Sequence, residues 1–190
     1  DINREFKKTI SPSMDILISS NLERFLFEMT GHDAEKINEW YQQLQEEGKF
    51  EVDDETKEKI KSLFTGSYAT EAETKERIKE VYKNNDYLLD PHTAVGVESY
   101  QKALDELSAE EVTVIDSTAN PYKFSRAVLE ALTGETREDK DDFAVLEELQ
   151  ELTEQEAHRA LKGLDEREIR HQRNCTSNDI KNEIKDILDL

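Results

Sequence analysis

The sequence predicts an α/β chain dominated by helices, and three observations predict it. Charged residues make up 37% of the 190 positions, while Gly (6) and Pro (3) are scarce, a balance that favours helix. Apolar residues recur at i, i+3, i+4 and i+7 in one segment after another, which gathers them on one helical face. One segment breaks that rhythm. Val112-Thr113-Val114-Ile115 is wholly β-branched and bounded by polar residues, and such a run reads as a buried strand. The expected architecture is a few strands surrounded by helices.

The elements follow in order. Ser11-Pro12-Ser13-Met14-Asp15 is a turn-like cluster, because the residue before proline avoids helix. Ser19, Ser20 and Asn21 are placed to cap a helix bearing Leu22, Phe25, Leu26 and Met29, which Gly31 ends. A second helix runs from Ala34 to Glu47 on the stripe Ile37, Trp40, Tyr41 and Leu44. Asp53 and Asp54 open a third, with Ile60, Leu63 and Phe64. Thr70-Glu71-Ala72-Glu73 matches a capping box, and Ile78, Val81 and Tyr82 follow it. Asp90-Pro91 starts a fifth helix, with Val97, Tyr100, Leu104 and Leu107 on one face, and residues 108–111 could cap one more turn. Asn120-Pro121 caps a sixth, with Phe124, Val128, Ala131 and Leu132. The charged stretch 135–142 reads as a loop. Phe143, Leu146, Leu149 and Leu152 mark a further helix, and Thr153 to Glu156 matches a second capping box ahead of Ala157, Ala160 and Leu161. Ser177 is the expected cap of a final helix striped by Ile180, Ile184, Ile187 and Leu188.

Composition excludes several function classes. Acidic residues outnumber basic ones 45 to 25, for a net charge of −20, which argues against nucleic acid and anionic membrane surfaces as partners. The lone Cys175 cannot form an internal disulfide and suits a reducing, cytoplasmic setting. No apolar run approaches the ~20 residues of a membrane span. The histidines (His32, His92, His158 and His171) lack metal-ligand spacing, so no metal site is expected. The chain opens at Asp1 without a Met, as a piece of a longer protein would.

The chemistry concentrates in VTVIDSTANPYKF, residues 112–124. A strand end, two hydroxyls (Ser117 and Thr118) and a capped helix start compose a strand–turn–helix junction, the kind of place where α/β proteins bind anionic ligands. A bland junction, with no ligand, has the same local sequence. STANPYKF resembles the STAHPAKF-type segment of the threonine synthase family. Two further stretches agree with it in the same order. Residues 9–24, TISPSMDILISSNLER, resemble that family's SPSMDI and SSN-ER segment, and residues 87–96, YLLDPHTAVG, resemble its DPHTAVG segment.

The resemblance covers residues 1–132 and thins beyond. It implies that 1–132 is the carboxyl-terminal part of a catalytic domain of the tryptophan-synthase-β type, and that 133–190 is a helical extension. The family uses pyridoxal phosphate to convert O-phosphohomoserine and water to threonine and phosphate. In enzymes of that type a neutral hydroxyl, here Thr118 or Ser117, partners the pyridine nitrogen. Lys123, Asp15, Asn21 and His92 are the implied substrate-binding candidates, with Ser13 and Ser20 beside them. The Schiff-base lysine and the Gly-rich phosphate loop, which the family carries upstream, have no counterpart here. No catalytic residue is therefore expected in this segment, which would need the missing amino-terminal half as a partner and be inactive alone. Asn120 stands where the family segment has His, and Tyr122 where it has Ala. Two other readings stay open: an acidic helical interaction module derived from the family, and a related lyase acting on another phosphorylated amino acid.

Overall fold

The computed structural model describes residues 1–104 and 112–190, so the expectations for Leu107 and residues 108–111 lie outside the described residues. The chain forms two compact units, Asp1–His158 and Arg159–Leu190.

In the first unit, α1 (Ser20–Met29), α2 (Ala34–Glu47) and α3 (Asp54–Leu63) pack around one aromatic-rich core. Leu26, Ile37 and Trp40 are buried there, with Phe25, Phe27, Tyr41, Phe50, Val52 and Ile60 against them. The stripe expected for α2 is the stripe that is buried. Asp33 caps α2 by accepting from Lys36 N, and Asp53 caps α3 by accepting from Thr56 N. Gly48 ends α2 at φ +75°, and the Asn3 side chain occupies the space a Cβ there would need. The Ile2 N–H donates to the Gly48 carbonyl at 2.8 Å, which ties the first residues to this corner.

A second group is built on α4 (Glu71–Asn85), which packs against α5 (Pro91–Ala103) and α6 (Ser125–Thr133). Helix α6 in turn packs on α7 (Asp142–Thr153). Ile78, Ala94, Val128, Val145 and Leu149 have no exposed surface. Ion pairs lace the helices together: Arg77 on α4 donates twice to the buried Glu98 of α5, and Lys75 reaches Glu130 of α6 at 2.9 Å. The expected capping box opens α4, with Thr70 and Glu73 bonded reciprocally.

Hydrogen bonds from Lys102 and Thr70 hold the Glu73 carboxyl at about 2, below its usual 4.5, and bonds from Arg137 and Lys140 do the same for Glu148. Depressed carboxyls contribute stability that is complete above pH ~4.5 and disappears as pH falls towards 2. Thermal melts taken from pH 6 down to pH 3 are expected to show a falling midpoint, with a shallower fall in Glu73→Gln. An identical slope in that variant would remove Glu73 from the account.

Three expectations are corrected. Val112–Ile115 is not a buried strand: it is irregular, with Val112 93% and Val114 81% exposed, and no strand forms among the described residues. A strand exists only through a neighbour that takes up its N–H and C=O groups, and none of the described segments pairs with this one. The second capping box also fails. Thr153 is the last residue of α7, and its hydroxyl donates back to the Leu149 carbonyl at 2.7 Å, so it caps no new helix and residues 155–158 are irregular. In the second unit, α8 (Ile180–Ile187) starts after Asp179 rather than Ser177, and its apolar stripe is at least half exposed.

Candidate functional site

Three segments far apart in sequence meet at the amino terminus of α5. Asp90 caps that helix: its Oδ1 accepts from His92 N at 2.9 Å and Thr93 N at 3.2 Å, and its Oδ2 accepts the Thr93 hydroxyl proton. Pro91 takes the first helical position, where a missing N–H costs nothing. Asp90 is 1% exposed, and a carboxylate so buried is tolerable only when donors surround it.

The cap leads directly to the Ser/Thr turn. Thr93 Oγ1 lies 3.1 Å from Ser117 Oγ. The Thr93 hydroxyl is the donor in both contacts, so its single proton is shared between the Asp90 carboxylate and Ser117. Ser117 accepts in this contact, and the Thr118 beside it is exposed.

The turn is set by Asn120, whose side chain accepts from Tyr122 N at 3.0 Å and opens a short 3-10 helix, Pro121–Phe124, before α6. The expected helix start is therefore present, one tighter turn ahead of the α-helix. Asn120 does the capping expected of it. Tyr122 is buried, and its hydroxyl meets Thr153 Oγ1 at 2.7 Å and the Gln155 carbonyl at 3.0 Å. That pins the turn to the end of α7.

The third segment arrives through Ser11, whose Oγ lies 2.5 Å from His92 Nδ1. The His92 ring stands edge-on to Phe124, with centroids 4.8 Å apart. Thr9 donates from both its N–H (2.6 Å) and its hydroxyl (2.9 Å) to Asp15, while its Oγ1 accepts from Ser11 N. Asp15, His92 and Ser117 thus belong to one connected network. Lys123 is exposed, its Nζ 5.4 Å from the Phe124 ring centroid. Asn21 is not brought in; it accepts from Arg24 along α1. Ser19, at the cap position, makes no side-chain capping bond. Sequence reasoning missed Ser11 and Thr93 as the residues that join the segments. Their only signal was membership of the same motif strings. Gly96 on α5 has only Ile115 within 4 Å of the place a Cβ would take, at 3.9 Å, among the described residues.

Comparison with known proteins decides what this convergence belongs to. A family model described as threonine synthase, C-terminal, matches residues 93–182. The threonine synthase of Pseudomonas aeruginosa is 37% identical over 127 residues, 67% of this chain and 27% of that protein. That of Saccharomyces cerevisiae is 35% identical over 159 residues, 76% of this chain and 31% of that protein.

The chain belongs to the threonine synthase family.

It spans under a third of these curated relatives and matches their carboxyl-terminal part. A crystal structure of threonine synthase from yeast superposes with a TM-score of 0.76 at 31% identity, covering 97% of this chain and 37% of that one. A PLP-bound threonine synthase from Brucella melitensis gives a TM-score of 0.63 at 37% identity, covering 77% and 30%. No helix among the described residues is long and apolar enough to cross a membrane.

Proposed function

We propose that this chain forms one wall of the active site of a pyridoxal-phosphate-dependent threonine synthase, which converts O-phospho-L-homoserine and water to L-threonine and phosphate in the cytoplasm. The observation that carries the reading is the meeting of the three motif segments at Ser11, His92, Thr93, Ser117 and Phe124. A chance resemblance of three strings gives no reason for them to touch.

The donor set fits the cofactor. Its electron-sink chemistry needs a partner at the pyridine nitrogen, and the exposed Ser117–Thr118 turn offers neutral hydroxyls. Thr118 is the assigned partner, because it is exposed, whereas the Ser117 hydroxyl is already engaged with Thr93. Lys123, at the first turn after Asn120, supplies positive charge for an anionic substrate. Asp15 holds the 9–15 loop that would border the substrate, and Asn21 stays a substrate candidate at the head of α1. Residues 1–132 form part of the catalytic domain, and 133–190 a helical extension to it. The exposed apolar side chains of Ile16–Ile18 and of Val112, Val114 and Ile115 are surface that the upstream half would cover. That half brings the cofactor lysine, so the segment alone is inactive.

Thr118→Val in the full-length protein tests this. Turnover is expected to fall by about a hundredfold, the usual scale for losing one preorganised donor, with a shifted cofactor absorption band. Ser117→Ala should leave that band in place. An unchanged spectrum and unchanged turnover in Thr118→Val would remove the nitrogen-partner role.

A further inference from the structure

His92 raises a question that the family reading does not answer. Its Nε2 is buried and has no hydrogen-bond partner among the described residues, while its Nδ1 is 2.5 Å from the hydroxyl of Ser11, itself only 2% exposed. Two proton arrangements are open to this pair, and they differ in what they leave unsatisfied. If Nδ1 carries the ring proton and donates to Ser11, the Ser11 hydroxyl proton needs another acceptor and the Nε2 lone pair needs another donor. If Ser11 donates to Nδ1, its proton is used and only the Nε2–H is left over. Each buried polar group left unpaired costs free energy, so the second arrangement is the lower in energy.

We infer that Ser11 is a positioning residue that holds His92 as its Nε2–H tautomer, and that His92 acts as a clamp between segments rather than as a ligand for substrate. One ring nitrogen is taken by Ser11 and the other is out of reach of solvent, so neither is free to meet a small molecule. The ring face and edge do the remaining work. Ser11 fixes the ring's rotation, and the ring supports Phe124 at 4.8 Å, one residue after Lys123. Through Thr9, the same Ser11 is tied to Asp15. The clamp therefore sets the spacing between the 9–15 loop and the Ser/Thr turn. Its bearing on catalysis rests on the proposal that this turn faces the cofactor; the tautomer itself does not.

Nitrogen-15 NMR of histidine-labelled full-length protein reads the tautomer directly, without any substitution. The expected spectrum has an unprotonated Nδ1 and a protonated Nε2 for His92. A protonated Nδ1 in the unmodified protein overturns the inference at once. In Ser11→Ala the single tautomer should give way to a mixture, and amide exchange at Thr9 should quicken about tenfold, the scale of one net hydrogen bond. Ser11→Thr, which keeps the hydroxyl, should restore both. A Ser11→Ala protein with the original tautomer population and exchange rate also overturns it. Adding pyridoxal phosphate separates the two proposals: absence of a cofactor absorption band counts against the functional reading alone, and the tautomer result stands by itself.

Discussion

Replacing Tyr122 by Ala, the residue that the family segment carries at that position, is expected to destabilise this protein by about 4 kcal/mol. The phenol ring is 5% exposed, and large-to-small changes of buried aromatic side chains cost ~3–5 kcal/mol. Removing the hydroxyl also takes the Tyr122 donor from the Gln155 carbonyl and one of two partners from Thr153 Oγ1, which keeps the Leu149 carbonyl. Tyr122→Phe separates these contributions: it keeps the ring and loses the hydrogen bonds, for about 1–2 kcal/mol. Chemical denaturation of the three proteins, read as midpoints at constant slope, checks both figures. If Tyr122→Ala costs under about 1 kcal/mol, the ring is not the bolt between the turn and α7, and the departure from the family segment is neutral. The geometry argues otherwise. Thr153 has given up the capping role that its own sequence suggests, and its hydroxyl faces Tyr122 instead.

That exchange shows where the sequence is legible. Capping is local, so Thr70-Glu73, Asp90-Pro91 and Asn120-Pro121 are read correctly from four or five residues. The α2 stripe is read correctly because a helix that must bury one face advertises it by period. Failures come where the outcome depends on a distant partner. Thr153-Glu156 has the letters of a capping box, but the Thr153 hydroxyl donates to the Leu149 carbonyl and meets Tyr122, 31 residues earlier, so it is not turned to a new helix. Val112–Ile115 has the letters of a strand, but pairing is a property of two segments, and the second is not in this chain's described residues. The site divides in the same way. Ser117, His92 and Asp15 are visible as motif members, while the contacts that connect them, Ser11 to His92 and Thr93 to Ser117, span 81 and 24 residues. No periodicity reports a contact of that kind.

Asp90→Ala is expected to cost about 3 kcal/mol, and a second change, at Thr93, should add little to that cost or recover part of it. The carboxylate caps two backbone N–H groups of α5, a contribution of ~1–2 kcal/mol. It is also the acceptor for the buried Thr93 hydroxyl, and an orphaned buried donor costs a further ~1–3 kcal/mol. Removing the orphan as well is far cheaper than creating it. Thr93→Val added to Asp90→Ala should therefore be nearly neutral or stabilising, whereas Thr93→Val alone should destabilise. A double-mutant cycle from denaturation midpoints is expected to give a coupling of about 1 kcal/mol or more. Additive costs would show that the Thr93 hydroxyl, which also reaches Ser117 at 3.1 Å, is satisfied there without Asp90. Asp90→Asn separates the two contributions: the amide oxygen keeps the cap, but the amide N–H offers no lone pair to Thr93, so this variant should cost less than Asp90→Ala.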